Sequence, residues 1–447
     1  MLNDLYVRYV AAAKLDPELD VEGRAWFKKL EDGDADAHAL WSRFREISLA
    51  EYQTAYDMLG VTFDLVKGES EYLPEVRRVL AELAATGISS ESEGALVVHL
   101  PDEKTPLLLK KSDDATLYAT RDIPSAEFRW NEWHFARSLY VVDRGQSLHF
   151  RQLFKTLGLM GHTWASRCEH IPFGLVQIGG KKGSTKAGNV VLLKDVIGEA
   201  ESRTRALLAE INPELSGAPL ELIAKQVGKG AVIFANLTSQ RDKDVEFEWD
   251  RVIALQGDSG PYLQYSHARC ASILKKAGAA VTTNVDHGKL ATDAEWAVAR
   301  RLLDFPGPVV ASTPKCEPHI ICHYLLALAG DFSRWYTAGN GDASLRVLCD
   351  DVPTRAARLA LVAAVKAVNA AQQQAPGSDD REEACSGEDF HGEPAGRRGS
   401  GPATLTLARA DGARDACPGR APLVLEFAER FGWLPRTTAV RHEHHEG

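Results

Sequence analysis

The stretch from Leu117 to Gln152, LYATRDIPSAEFRWNEWHFARSLYVVDRGQSLHFRQ, decides the fold. If its beginning is helical, Tyr118 and Asp122, four residues apart, lie on one face of that helix. SLYVVD (138–143) then predicts a buried strand that ends in a polar residue. Three polar side chains follow at the three-residue spacing of a helix: Gln146, His149 and Gln152. This order indicates an open α/β sheet, in which ligands bind at the carboxyl ends of the strands.

The polar residues of this stretch suit a small cationic ligand. Tyr118 and Asp122 could offer a phenol and a carboxylate to the same molecule, and Gln146 an amide. The alternative for the Tyr118–Asp122 pair alone is a solvated helix face, which is the more common meaning of such spacing.

Two further segments, together with TRDI (120–123) and YVVDxxQxxHxxQ (140–152), carry a family resemblance. They are FGLVQIGGKKGSTKAGNVVLLKDVI (173–197) and FEWDxxIALQ continuing into GDSGPYLQYSHAR (247–269). Over about residues 1–371 the chain resembles the arginyl-tRNA synthetases, which are class I aminoacyl-tRNA synthetases. The resemblance implies ATP-dependent activation of L-arginine to the adenylate and transfer to tRNA(Arg). The implied ligands are L-arginine, ATP with Mg²⁺ as its counterion, and tRNA(Arg), with no protein-bound metal.

The resemblance also implies residue roles. Asp122 pairs with the guanidinium of arginine, Tyr118 lines the same pocket and Gln146 helps to hold the amino acid. Asp143 and His149 are expected to contact ATP. The physical chemistry agrees for Asp122, because a planar guanidinium matches a carboxylate through paired, charge-assisted hydrogen bonds.

The loop GGKKGSTKAG (179–188) follows the apolar FGLVQI, which predicts a strand. Its lysines lie among small residues, as a flexible phosphate-handling loop requires, although no Walker A spacing fits it. By its position in the family it corresponds to the KMSK loop of class I synthetases. Lys181, Lys182 and Lys186 are therefore expected to be catalytic and Ser184 and Thr185 to contact ATP, where lysines stabilise the charge of departing pyrophosphate. The alternative is a solvated basic hairpin.

Composition limits the class of protein. The chain has 447 residues, 45% of them hydrophobic, which is enough for at least two cores. No apolar run of about 18 residues and no signal-peptide pattern occurs, so we expect a soluble, cytoplasmic protein with no membrane partner. The net charge of −10 argues against nonspecific coating of nucleic acid, and DNA is not an expected partner. A local basic face for tRNA remains compatible with that charge.

The helical periodicity of residues 20–60, with Gly60 as a stop, opens a partial catalytic domain over 1–255. An inserted subdomain of about residues 61–115 mixes the β-like GALVVHL and TPLLLKK with one helix. By resemblance, the fold class is a Rossmann-like α/β class I catalytic region, incomplete here, and an all-α helix bundle follows it. By resemblance this bundle, over 256–372, is the anticodon-binding domain.

The first helix of the bundle supplies the candidate tRNA contacts. Its tyrosines could stack on unpaired bases and its cations could contact phosphate. The alternative is a solvated helix face. The candidates are Tyr262, Gln264, Tyr265, Arg269, Lys275 and Lys276.

The seven cysteines are scattered and contain no CxxC pair, as is typical of reduced cytosolic thiols. Cys316, His319, Cys322 and His323 form one cluster with metal-like spacing. Apolar residues at helical spacing around them indicate a packing helix instead of a zinc site. No metal ligand is therefore expected.

Two departures from the family pattern affect the expected activity. No H-x-G-H signature occurs, so we expect an amino-terminal catalytic portion upstream of Met1 and no arginine-dependent ATP–pyrophosphate exchange by these 447 residues alone. A chain extended upstream is expected to show it. Residues 373–447 are low in apolar periodicity, which indicates either a disordered or an out-of-frame tail. The alternative function is a non-catalytic tRNA- or arginine-binding remnant.

Overall fold

The computed structural model of the protein describes residues 2–112, 116–178, 191–278, 281–282 and 284–373. Its helices are α1 (Leu2–Ala13), α2 (Glu18–Glu31), α3 (Ala35–Leu59), α4 (Leu73–Ala85), α5 (Tyr118–Trp133), α6 (Ser147–Leu159), α7 (Leu193–Ile211), α8 (Gly217–Thr238), α9 (Trp249–Val252), α10 (Gly260–Ala277), α11 (Asp293–Leu303), α12 (Pro306–Lys315), α13 (His319–Gly341) and α14 (Val352–Gln373). Its strands are β1 (Ser89–Ser92), β2 (Ala95–Val98), β3 (Leu107–Lys110), β4 (Ser138–Asp143), β5 (Cys168–Phe173), β6 (Val176–Ile178) and β7 (Val245–Phe247).

Two units divide the chain. The first contains Met1–Ile197 and Ala235–Trp249, and the second contains Gly198–Phe234 and Asp250–Gly447. All β-strands belong to the first unit among the described residues. The described elements of the second unit are helical, so the predicted change from α/β to all-α structure is confirmed.

Local sequence signals fix the helix ends in the first 60 residues. The predicted helical segment is two helices, because Asp34 starts α3 anew by accepting hydrogen bonds from the backbone N–H groups of Asp36 and Ala37. Gly60 ends α3 with φ of 71°, a left-handed conformation that glycine adopts without steric cost. The predicted stop at Gly60 is therefore confirmed.

The βαβ unit that positions the candidate site is β4–α6–β5. Its strands pair in parallel, from Ser138 opposite Cys168 to Asp143 opposite Phe173. The predicted bounds of β4 are confirmed, but the prediction that the strand is buried is wrong. Only Tyr140 is buried, while Val141 on the opposite face is 62% exposed. Alternation along a pleated strand leaves one face of β4 uncovered among the described residues.

One continuous core joins the antiparallel β1–β2–β3 sheet and α4 to α5 and the βαβ unit. Buried side chains from most of these elements contribute, including Leu83 of α4, Leu109 of β3, Ile123 of α5 and Leu153 of α6. The segment expected as an inserted subdomain thus shares its core with the α5–α6 region. Burial of this kind stabilises the fold by about 25 cal/mol for each Å² of apolar surface removed from water.

The predicted strand FGLVQI is interrupted. Its first residue ends β5, and β6 comprises only its last three residues, so that Gly174 and Leu175 lie between the two strands. The backbone of Gly174 is so close to the carbonyl of Lys243 that a Cβ there would lie 2.1 Å from that oxygen. The loop 179–188, with Lys181, Lys182, Ser184, Thr185 and Lys186, lies outside the described residues, as does the tail from 374.

Helices α10 to α14 form the predicted bundle. Ser259 caps α10, and Gly278 ends it with φ of 62°. The sequence prediction missed α12, whose sequence PGPVVASTPK contains three prolines and few strong helix formers. Pro306 is tolerated because it occupies the first turn, where its missing N–H would have no helical partner.

Helix α13 is a packing helix, as its periodicity predicts. Trp335, Phe332 and Leu328 have no exposed surface, and Cys322 is only 1% exposed. His319 contacts Glu317 at 2.9 Å. Within the described parts of the chain, potential metal ligands are nowhere grouped in threes or larger sets. No described helix has both the length and the apolar character needed to cross a membrane.

Glu103 links the β2–β3 connection to α6, and its environment predicts acid sensitivity. Hydrogen bonds from Arg151 at 2.7 Å and Lys155 at 2.8 Å lower the pKa of Glu103 from 4.5 to about 2. Since the folded-state pKa is depressed, this contribution to stability is present above about pH 4.5 and is lost as the pH falls towards 2. Urea denaturation between pH 6 and pH 3 should show a shallower loss of stability for Glu103→Gln than for the wild type. Parallel pH profiles would contradict this prediction.

Candidate functional site

The candidate amino-acid site in the first unit lies where α5 and α6 face each other. Both residues of the predicted pair belong to α5, so Tyr118 and Asp122 share one face, as expected. The Asp122 carboxylate Oδ2 lies 2.7 Å from Nε2 of His149 on α6. The side chains of Asp122 and His149 are 26% and 23% exposed, so the pair is partly desolvated but open to a ligand.

Three of the other predicted residues lie at the ends of elements. Tyr118 starts α5 and is 66% exposed, which leaves its ring and hydroxyl free to cover a ligand. Gln146 is exposed at the start of α6. Asp143 ends β4 and accepts a hydrogen bond from the backbone N–H of Gly145 at 2.8 Å. Gln152 is buried and donates to the Thr105 carbonyl at 2.6 Å, so it has a structural role.

Arg144 anchors the start of α6 to the segment before β7, a contact that the sequence prediction missed. Its guanidinium donates to the Asp242 carbonyl at 3.1 Å and to the Asp244 carboxylate at 3.0 Å. Asp244 also accepts from the backbone N–H of Leu175 at 2.9 Å. The carboxylate therefore ties the end of β4 to the beginning of β6, from which the chain continues into the lysine-containing loop.

A second candidate site is a groove of about 1040 Å³ in the helical unit, beside α10. Tyr262, Tyr265 and Arg269 line it, and all three are predicted RNA contacts. The Arg269 guanidinium lies between two aromatic rings, 4.5 Å from the centroid of Tyr265 and 4.3 Å from that of Tyr336. It also donates to the Tyr265 hydroxyl at 2.8 Å. Cation–π contacts with two rings stabilise this position of the guanidinium.

The remaining α10 candidates take different positions. Lys275 and Lys276 are exposed in the last turn of the helix. Gln264 is not among the residues that line the groove, and its amide packs against Gly230 of α8, where a Cβ would lie 2.5 Å from Nε2. The sequence prediction missed Tyr336, since nothing local in α13 relates it to Arg269.

The chemistry available at these two sites differs. The α5–α6 site offers an oriented carboxylate, with a phenol on the same helix and an amide at the start of α6, and this set suits a cation with several N–H donors. The groove offers Tyr265, which is 49% exposed, and α10, which carries it, ends in two lysines. Such a surface can stack an unpaired base and attract the phosphates that flank it.

Comparison with known protein families assigns both regions of the chain to families. Residues 1–249 match the family described as tRNA synthetases class I (R), catalytic domain, and residues 263–372 match the DALR anticodon binding domain. An arginine–tRNA ligase from Clostridium perfringens is 43% identical over 366 residues, which are 81% of this chain and 64% of that protein. One from Exiguobacterium is 42% identical over 82% of this chain and 64% of its own length. The chain thus spans less than two thirds of the curated relatives it matches.

Solved structures give the same assignment. Arginyl-tRNA synthetase from Thermus thermophilus has a TM-score of 0.67 and 26% identity, over 80% of this chain and 65% of its own. The Plasmodium falciparum enzyme has a TM-score of 0.68 at 22% identity, over 81% of this chain and 61% of its own, which supports the fold alone. With a family match over more than half its length, the chain belongs to the arginyl-tRNA synthetase family of class I aminoacyl-tRNA synthetases.

Proposed function

We propose that the protein acts as an arginine–tRNA ligase, which activates L-arginine with ATP and transfers it to tRNA(Arg) during cytoplasmic translation. The observation that carries the proposal is the Asp122 carboxylate, held by His149 on α6 and open beside the exposed Tyr118. A partly desolvated carboxylate favours a guanidinium over a neutral side chain of the same shape, because charge-assisted hydrogen bonds are roughly twice as strong as neutral ones.

In the proposed reaction, Asp122 and Tyr118 bind the arginine side chain and Gln146 helps to orient the amino acid. The α-carboxylate then attacks the α-phosphorus of ATP, forms the acyl–phosphate bond and releases pyrophosphate. A ribose hydroxyl of the tRNA next attacks the acyl carbon and releases AMP. Asp143, His149, Ser184 and Thr185 are the proposed ATP contacts. Lys181, Lys182 and Lys186 are proposed to stabilise the leaving pyrophosphate, with Mg²⁺ arriving as the counterion of ATP.

The second candidate function is a non-catalytic arginine- or tRNA-binding protein. It shares the binding residues and lacks the chemistry, so binding assays do not separate the two. Arginine-dependent ATP–pyrophosphate exchange, measured with a chain extended upstream of Met1, does. The family matches over both regions favour the ligase.

Amino-acid selectivity tests the proposal without requiring turnover. Of the twenty protein amino acids, we expect L-arginine to raise the melting temperature of the chain the most. A ligand that binds only the folded state stabilises that state. Stabilisation by L-lysine equal to that by L-arginine would contradict the proposal, because it would show recognition of positive charge without recognition of the guanidinium.

Binding of tRNA should depend steeply on salt if α10 contacts phosphate. Removing Lys275 and Lys276 together, by substitution with alanine, should weaken tRNA(Arg) binding and lower the slope of log K against log salt by about one for each lost phosphate contact. The measurement is fluorescence anisotropy at several salt concentrations.

Arg300 supplies a matched control. It is an exposed cation on α11, so Arg300→Ala removes one positive charge away from α10 and is compared with Lys275→Ala or Lys276→Ala alone. An equal fall in slope for this control would mean that only net charge matters and that α10 is no specific contact surface.

A further inference from the structure

His149 makes a contact that the ATP role proposed for it does not use. Its Nε2 lies 2.7 Å from Oδ2 of Asp122, which is 27 residues earlier in the chain. The contact joins α5 to α6 at the point where the arginine side chain is proposed to bind. An imidazole used in this way leaves the other carboxylate oxygen, Oδ1, outside the contact.

The cations nearest in sequence are directed elsewhere. Arg121, next to Asp122, reaches Glu69 at 3.5 Å and Thr116 at 3.4 Å. Arg151, two residues after His149, binds Glu103 at 2.7 Å. These pairings keep two permanent charges away from the Asp122 carboxylate.

We propose that His149 is a positioning residue for arginine specificity: its imidazole donates from Nε2 to Asp122 and fixes the carboxylate for the guanidinium. This inference rests on the proposed function, since it needs arginine as the ligand. A carboxylate has about four lone-pair positions, so one donor from His149 leaves room for two from a guanidinium. Lysine or arginine at this position would fix the carboxylate equally well but would cancel the charge that the substrate needs.

Packing explains why the imidazole stays in place. The ring of His149 contacts the ring of Phe150, with centroids 5.2 Å apart, and Phe150 stacks on His170 at 4.7 Å. His170 contacts the Val142 carbonyl through Nε2 at 3.1 Å. His170 is therefore a matched control: it is an imidazole of the same cluster that is bound to backbone and not to Asp122.

Arginine affinity of the full 447-residue chain, measured by calorimetry, tests the inference. His149→Phe keeps an aromatic ring but removes the donor, and it should weaken arginine binding about tenfold or more. His149→Gln can still donate to Asp122 and should recover most of this loss. His170→Phe should bind arginine like the wild type.

A spectroscopic reading separates positioning from a purely structural role. In ¹⁵N-histidine spectra, His149 should carry its proton on Nε2, and its signals should shift when L-arginine is added but not with L-citrulline. If wild-type and His149→Phe chains bind arginine equally, the inference is overturned and the proposed function stands. If the wild type shows the Nε2 proton bound to Asp122 but no arginine binding, the proposed function itself fails, and the inference with it.

Discussion

Replacing Arg358 by methionine is expected to reduce the free energy of unfolding of the helical unit by about 3 to 5 kcal/mol. Arg358 is 4% exposed and donates to the Glu295 carboxylate at 2.5 Å, and Glu295 has no exposed surface. The change would leave a buried charge without its partner. Chemical denaturation followed by circular dichroism measures the effect.

The surroundings of the pair explain why so large a loss is expected. Burial alone would raise the pKa of Glu295, but hydrogen bonds from Thr292 and Arg358 hold it below its ordinary value, so the carboxylate is charged. Arg358 also donates to the carbonyls of Ser344 and Arg346, at 2.7 and 2.8 Å. One side chain therefore ties α14 to the start of α11 and to the segment after α13.

A double variant provides the control. Arg358→Met with Glu295→Leu removes both charges, and it should recover part of the stability lost in Arg358→Met, because no unpaired charge remains. A loss below about 1 kcal/mol in the single variant would contradict the assignment, since it would mean that water reaches Glu295.

Much of the fold could be predicted because it depends on local signals. The strand at 138–143, the helix that carries Tyr118 and Asp122 and the end of α3 at Gly60 follow from periodicity and from residue conformational preferences. The exposure of Val141 could not be predicted, because burial depends on what covers each face of the sheet.

The site was only partly predictable for a related reason. Tyr118, Asp122 and Gln146 could be named from motif and spacing, and so could Tyr265 and Arg269. Contacts between side chains of distant segments produce no periodic pattern in the sequence. Asp122 with His149 and Arg269 with Tyr336 therefore became visible only in the structure.

Loss of the Asp122 charge is the second change with a large expected effect. Asp122→Asn keeps the shape of the side chain but removes the charge that we propose faces the guanidinium, and it should weaken arginine binding by about 2 to 5 kcal/mol. Tyr118→Phe should cost less, because it removes one hydroxyl from an exposed ring. Calorimetric titration with L-arginine measures both. An unchanged arginine affinity in Asp122→Asn would make the Tyr118–Asp122 pair a surface feature.

Titration of the wild-type chain and of Asp122→Asn with L-arginine and L-citrulline tests guanidinium recognition most directly. Citrulline has a neutral ureido group of similar shape to the guanidinium. The difference in affinity between the two ligands therefore measures the effect of the charge that Asp122 is proposed to recognise. We expect the wild type to bind arginine more tightly than citrulline by about 2 to 5 kcal/mol, and Asp122→Asn to lose most of this difference. Equal binding of the two ligands by the wild type would contradict the assignment of Asp122 as the residue that recognises arginine.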